Sequence, residues 1–248
     1  MKKLILFAFS TLLLASCSKK DAEPQVSIDA KTLELKYDKT HQFVLTKGSE
    51  AVTASTFTWK SSDEKVGTID ANGNFKGRKI GETKITGTST TSGAVESSIK
   101  ITPYTTFITE PVIQFGVDAA TIKGKEKRKL STKSTDNVLL YDGENSNITY
   151  VAYFLENGKV AAAFIIFAST ATTLLTESVT FFKERYPNID ASDSEVYLLN
   201  DEQTYGIILS VDATIGYNAQ YVPYKKGGRK DLEVKIKFHQ ALKNLGVL

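Results

Sequence analysis

The sequence predicts a β-sandwich followed by an α+β domain whose antiparallel sheet carries two helices on one face. Three observations predict it. Residues 25 to 103 hold short runs of alternating apolar and polar side chains broken by turn residues, with nothing of helical period. Beyond Pro103 the period changes, and Ala171, Leu174, Leu175, Ser178, Val179 and Phe182 fall at the spacing of one helix face. The order helix, strand, strand, strand then occurs twice, offset by roughly 57 residues. A chain of 248 residues has room for two such domains.

The first element is a leader. Lys2 and Lys3 precede a run, Leu4 to Ala15, that is almost wholly apolar and about half the length a bilayer-spanning helix needs, roughly 20 residues. A basic start, a short apolar stretch and small residues together read as a secretory signal over residues 1–16. Leu14-Ala15-Ser16-Cys17 resembles a bacterial lipobox. That resemblance implies lipidation of the Cys17 thiol, cleavage just before it, and an anchor in the membrane. It also accounts for the single cysteine of an exported chain. Residues 17–24 then form a lipidated polar tether reaching roughly 25 Å. Ser18 stands where inner-membrane lipoproteins often carry Asp, so the outer membrane is expected, with either face left open.

In residues 25–103, Leu33 and Leu35 alternate with Glu34 and Lys36, and Phe57 and Trp59 alternate with Thr56, Thr58 and Lys60. Val66, Ile69, Phe75, Ile80, Ile85, Val95, Ile99 and Ile101 continue the series, with turns at Ser61-Ser62-Asp63, Asn72-Gly73-Asn74, Gly81 and Ser92-Gly93. About seven short strands at this spacing make a sandwich. Trp59-Lys60-Ser61-Ser62-Asp63, Val66-Gly67-Thr68-Ile69-Asp70, Asn72-Gly73 and Gly81-Glu82-Thr83-Lys84-Ile85-Thr86 resemble, in order and spacing, the bacterial immunoglobulin-like group 2 domain. Gly67 departs from the Ala the family often has there. The resemblance implies a stalk or adhesive module of a bacterial surface protein and no catalysis. Trp59 is expected in the core, and Asp63 and Asp70 in turns that they cap themselves.

In residues 104–248 a first helix is expected from about Val117 to Lys129, with Asp118 near its start and lysines near its end. A second spans 171 to 185, with Thr170 as N-cap and Pro187 as stop. Strands are expected at Val138 to Tyr141, Ile148 to Leu155, Val160 to Phe167, Glu195 to Asn200, Tyr205 to Val211 and Thr214 to Val222, with a tight hairpin at Asn157-Gly158. Val160 to Phe167 is apolar in both alternating sets, as in a central strand covered on both sides. Helices cover one side. The other is left to the tail, the first domain, a partner or a ligand. Leu232, Val234, Ile236 and Phe238 alternate with charged residues and suggest an edge strand before a short helical end. The element order, Phe115-Gly116 and the Asn157-Gly158 hairpin resemble PepSY-like or β-lactamase-inhibitor-like domains. An inhibitor-like domain would dock a protein on its sheet, but no residue roles carry over.

Chemistry is constrained mostly by exclusion. Two histidines far apart, at 41 and 239, and one lipid-bearing Cys leave no metal cluster to expect, and no cofactor fingerprint or nucleophile elbow occurs. Residues 21 to 103 carry 11 basic and 11 acidic side chains, and residues 104 to 248 carry 16 and 17. Neither block has the positive excess that nucleic acid demands. The clusters Lys123 to Lys133 and Lys225 to Lys230 read as solvated surface. Tyr150, Tyr217 and Tyr221 are the candidate ligand-binding residues, because tyrosines on a sheet face can serve glycans or peptides; the alternative is that they complete the core. The expectation is a membrane-anchored, non-catalytic lipoprotein that binds or adheres to glycan, host protein or partner protein at the cell surface. One alternative is a periplasmic inhibitor or assembly partner docking on the second sheet. Another is a glycosidase using two of Asp190, Asp193, Glu195, Asp201 and Glu202.

Overall fold

The computed structural model describes residues 24–186, 188–191, 195–213, 215–224, 238, 240–242 and 244. The leader, Cys17, Asp193, Lys225 to Lys230, Leu232, Val234, Ile236 and His239 lie outside them.

The N-terminal region is built from β1 (Val26–Ile28), β2 (Thr32–Lys36), β3 (Thr40–Gln42), β4 (Leu45–Lys47), β5 (Glu50–Val52), β6 (Thr58–Ser61), β7 (Gly67–Ile69), β8 (Asn74–Gly77), β9 (Gly81–Ser89) and β10 (Gly93–Thr102). They form a four-stranded sheet, β2-β10-β9-β6, and two three-stranded sheets, β1-β4-β5 and β3-β8-β7. All three contribute to one core, with Phe43, Phe75, Ile85 and Ile99 almost fully buried. Strand β10 shows the period-2 pattern that makes this possible: Val95, Ser97, Ile99 and Ile101 point inward, and Glu96, Ser98 and Lys100 point out.

The motif residues tie the sandwich together. The Thr83 hydroxyl on β9 accepts the Asp63 amide at 3.0 Å and lies 2.9 Å from the Ser61 hydroxyl, fastening the Ser-Ser-Asp turn to the neighbouring strand. Asp70 accepts the Asn72 and Asn74 amides at 2.8 and 2.9 Å, and Asp63 accepts the Lys65 amide at 2.9 Å, so both acids do turn chemistry. Trp59 sits less deeply than expected. It is half-buried, stacked on Phe43 at 5.9 Å with its indole N–H donated to the Ala54 carbonyl, while Phe75 and Ile85 hold the centre.

The second region has α1 (Ala119–Lys125), β11 (Val138–Asp142), β12 (Ile148–Glu156), β13 (Lys159–Phe167), α2 (Thr172–Lys183), β14 (Asn188–Ala191), β15 (Glu195–Leu199), β16 (Tyr205–Asp212) and β17 (Gly216–Pro223). The strands form one seven-stranded sheet, β11-β12-β13-β17-β16-β15-β14, antiparallel throughout. Asp118 caps α1 by accepting the Thr121 amide. The α2 N-cap is Ala171 rather than Thr170, and its amide is taken by the Ser169 hydroxyl. Asn157 and Gly158 turn the β12–β13 hairpin with φ of 52° and 73°, the left-handed pair a tight hairpin needs.

The repeat is real and one strand longer than expected. Each helix is followed by strands that run to the middle of the sheet, where β13 and β17 pair antiparallel, Ala163 opposite Tyr221. The outermost β14 has a rudimentary counterpart in the single bridge from Leu130 to Tyr141 on β11. Both helices end on a glutamate paired with an arginine, Glu126 with Arg128 and Glu184 with Arg185.

Ile122, Leu174, Phe181 and Phe182 place both helices on one face of the sheet. The opposite face receives the tail. Phe238 is helical and fully buried, stacked on Phe164 at 3.6 Å, and Leu242 is buried beside it. Strand β13 is therefore covered on both sides, with Ile165 and Phe167 toward the helices and Phe164 and Ile166 toward the tail.

Candidate functional site

The tyrosine platform does not form. Tyr217 and Tyr221 lie on the helix-covered face, 3% and 0% exposed. Tyr217 stacks on Phe167 at 4.5 Å and shares a 2.6 Å hydrogen bond with Ser178 of α2. Tyr221 donates to Glu110 at 2.9 Å. Burial raises both phenols above their ordinary pKa, the nearby Glu110 carboxylate adding to the effect at Tyr221. Tyr150 is half-buried on the opposite face, so the three rings cannot address one ligand. The alternation on β17 correctly grouped Tyr217 with Tyr221. It could not tell which face the helices would take.

Two of the acidic residues are drawn to the sandwich. Asp190 belongs to β14, an unexpected strand, and Glu195 opens β15 as expected, in register with Tyr197 and Ser210 respectively. Asp201 is committed to an ion pair with Lys79 of the sandwich, and Glu202 lies 3.9 Å from Lys65. Among the described residues no group of His, Cys, Asp or Glu is placed to hold a metal ion.

What the structure does assemble is the junction between the two regions. The connecting segment, expected as a simple boundary, is stapled along its length. Val112 donates its amide to the Tyr153 hydroxyl, Thr109 to Glu144, and the Phe107 carbonyl accepts from Asn145. Tyr186 and Tyr221 both donate to Glu110. Partial desolvation works against the charge of Glu144. The Arg128 guanidinium and the Thr109 amide outweigh that and hold its carboxyl below the usual range.

The staple ends at Glu184, the C-cap of α2 and 0% exposed. One carboxylate oxygen accepts the Tyr104 amide at 2.7 Å, and the other accepts from Arg185 at 2.7 Å. Its carbonyl accepts the Ile80 amide from the β8–β9 turn at 2.8 Å. The turn can approach because Gly81 is in the left-handed region (φ 146°) and packs so closely that a Cβ would stand 2.8 Å from Val66. A buried carboxylate is tolerated only when paired and hydrogen-bonded, as Glu184 is by Arg185 and the Tyr104 amide, while its carbonyl reaches the sandwich at Ile80.

Beside this knot lies a cleft of about 450 Å³. Its walls are Tyr37 and Asp38 after β2, Tyr104 and Thr105 of the connector, and Thr176, Glu177 and Thr180 on α2. Tyr104 is 45% exposed, yet its phenol is donated to Asp38 at 2.7 Å and its ring meets Tyr37 edge-on. Sequence reading missed this site. Its one local signal was a lone aromatic residue following Pro103, and everything else about it is tertiary.

No curated protein matches the chain. Among solved structures, the crystal structure of an EHEC O157:H7 intimin mutant is 21% identical, with a TM-score of 0.22. The match covers 44% of this chain and 58% of that one. Residues 23–99 match the family model described as bacterial Ig-like domain (group 2), which accounts for the sandwich; the α+β domain has no such assignment.

Proposed function

We propose that the chain is a non-catalytic, lipid-anchored binding protein of the bacterial cell surface, of the adhesion type. The observation that carries this reading is the bacterial Ig-like module at residues 23–99, directly behind a leader that resembles a lipoprotein signal. The module is docked on the α+β domain through Glu184, Lys79 and the stapled connector, so it sets the orientation of that domain as well as its distance from the membrane. The docking alternative requires an open sheet face, and Phe238 and Leu242 occupy part of the one the helices leave. The glycosidase alternative requires a free carboxylate pair, and Asp201 is committed to Lys79.

Protease shaving of intact cells, followed by a blot for the α+β domain, tests the reading. Loss of the band is the expected result; protection until lysis would place the domain in the periplasm and overturn surface exposure. Metabolic labelling with palmitate should mark the wild-type chain and leave Cys17→Ala unlabelled.

A further inference from the structure

We propose that the junction cleft is a binding site for a neutral saccharide, assembled jointly by the two domains. The proposal goes beyond the surface reading and does not depend on it. Three features of the cleft carry it. The first is size: its 450 Å³ lies within the range of small-molecule sites, roughly 300 to 1,000 Å³. The second is chemistry. Tyr37 and Tyr104 offer aromatic surface to the C–H face of a sugar ring, Thr105 and Thr176 offer hydroxyls, and Thr180, whose proton goes to the Thr176 carbonyl, offers an acceptor. Asp38 and Glu177 offer carboxylate acceptors for sugar hydroxyls, and they select against a sialic or uronic acid. Lys36 and Lys39 stand beside the cleft rather than among its walls: Lys36 lies over the Tyr104 ring and donates to the Pro103 carbonyl, and Lys39 is 3.9 Å from Asp38.

The third feature is preorganisation. An exposed tyrosine ordinarily keeps its rotamer freedom, and a ligand that stacks on it must remove that freedom. Tyr104 is already held by four contacts: its amide by buried Glu184, its phenol by Asp38, its ring by Lys36 and by the Tyr37 edge. Rigid tyrosines give large contact area at low entropy cost. Glu184 is not among the walls of the cleft. It is a positioning residue that brings the α2 threonines and the connector tyrosine to opposite sides of one gap.

The experiment uses the purified chain on an array of neutral oligosaccharides (glucose-, galactose-, mannose- and N-acetylglucosamine-terminated) beside sialylated and uronate-containing ones. The expected result is retention of neutral members alone. Tyr104→Ala should weaken that binding by about tenfold or more, with the Trp59 fluorescence and the thermal midpoint unchanged. Thr176→Arg fills the cleft from the exposed side of α2, leaves every junction contact in place, and should abolish binding even if Tyr104→Ala perturbs folding. Glu184→Gln should lower affinity and also broaden the interdomain distance distribution in small-angle scattering, which a change confined to the binding surface would not do. Retention of no neutral member, retention of acidic members only, or undiminished binding by Thr176→Arg would overturn the proposal. The assay contains no cells, so its failure leaves the shaving result untouched, and the reverse holds too.

Discussion

Strand β10 of the sandwich buries every second residue, whereas β13 of the α+β domain buries Ala162 through Phe167 without a break. The first pattern belongs to a strand with one wet face. The second belongs to a strand with the α helices on one side and Phe238 on the other. The difference decides how much recognisable punctuation each strand's sequence carries. A one-faced strand constrains half its residues and leaves turn residues such as Asp63, Asp70 and Thr83 as recognisable punctuation. A two-faced strand accepts any apolar side chain of suitable volume, so its sequence carries position but little signature.

That contrast can be measured separately in the two domains, because the chain has a single tryptophan, Trp59, and it lies in the sandwich. The largest effect should come from Phe164→Ala. It removes the ring stacked under Phe238 from a site with 0% exposure and should cost about 3–5 kcal/mol. Denaturation followed by far-ultraviolet circular dichroism should shift strongly, with the Trp59 transition moving only as far as the Glu184 junction couples the domains. Equal shifts in both signals would mean that the junction makes one cooperative unit.

Alkali should follow in size. Burial and the carboxylates of Glu126 and Glu110 push the phenols of Tyr153, Tyr186 and Tyr221 far above their ordinary pKa of 10. A raised folded-state pKa contributes stability that is complete below pH 10 and is lost as pH rises beyond it. The α+β signal should therefore fail first in an alkaline titration, while the sandwich, whose Tyr37 is only half-buried, persists. Smaller is Tyr221→Phe, which removes one of two phenol donors from Glu110 and should cost about 1 kcal/mol in the dichroism transition. Smallest and confined to the sandwich is Thr83→Ala. Loss of the acceptor for the Asp63 amide should cost about 1 kcal/mol at most, read in Trp59 fluorescence alone.

The order of elements was legible because it is local. Both helices, the Asn157-Gly158 hairpin and the central place of β13 follow from period and turn chemistry. Strand β14 escaped because Asn188–Ala191 contains one large apolar residue and is paired only through the register it finds on β15. The face taken by Tyr217 and Tyr221 was illegible for a related reason: a strand buried on both sides offers no polar face to orient by. The junction was the least legible of all. Ile80, Tyr104 and Glu184 meet across 80 residues or more of chain, and none carries a motif.

The pairing at the middle of the duplicated sheet has a consequence for how the chain reaches this state. When the polypeptide emerges N-terminus first, β13 is finished well before β17 exists, and Ala163 must wait for Tyr221. Throughout that interval this apolar strand presents an unpaired edge, and the face that Phe238 later covers stays open, a template for pairing with another copy. The sandwich also closes late, since β2 waits for β10, but β2 alternates Leu33 and Leu35 with charged residues and carries no such apolar run. Whatever protects the growing chain therefore has β13 to guard, and a product truncated after Phe167 should aggregate through β13 while its Ig-like module stays folded.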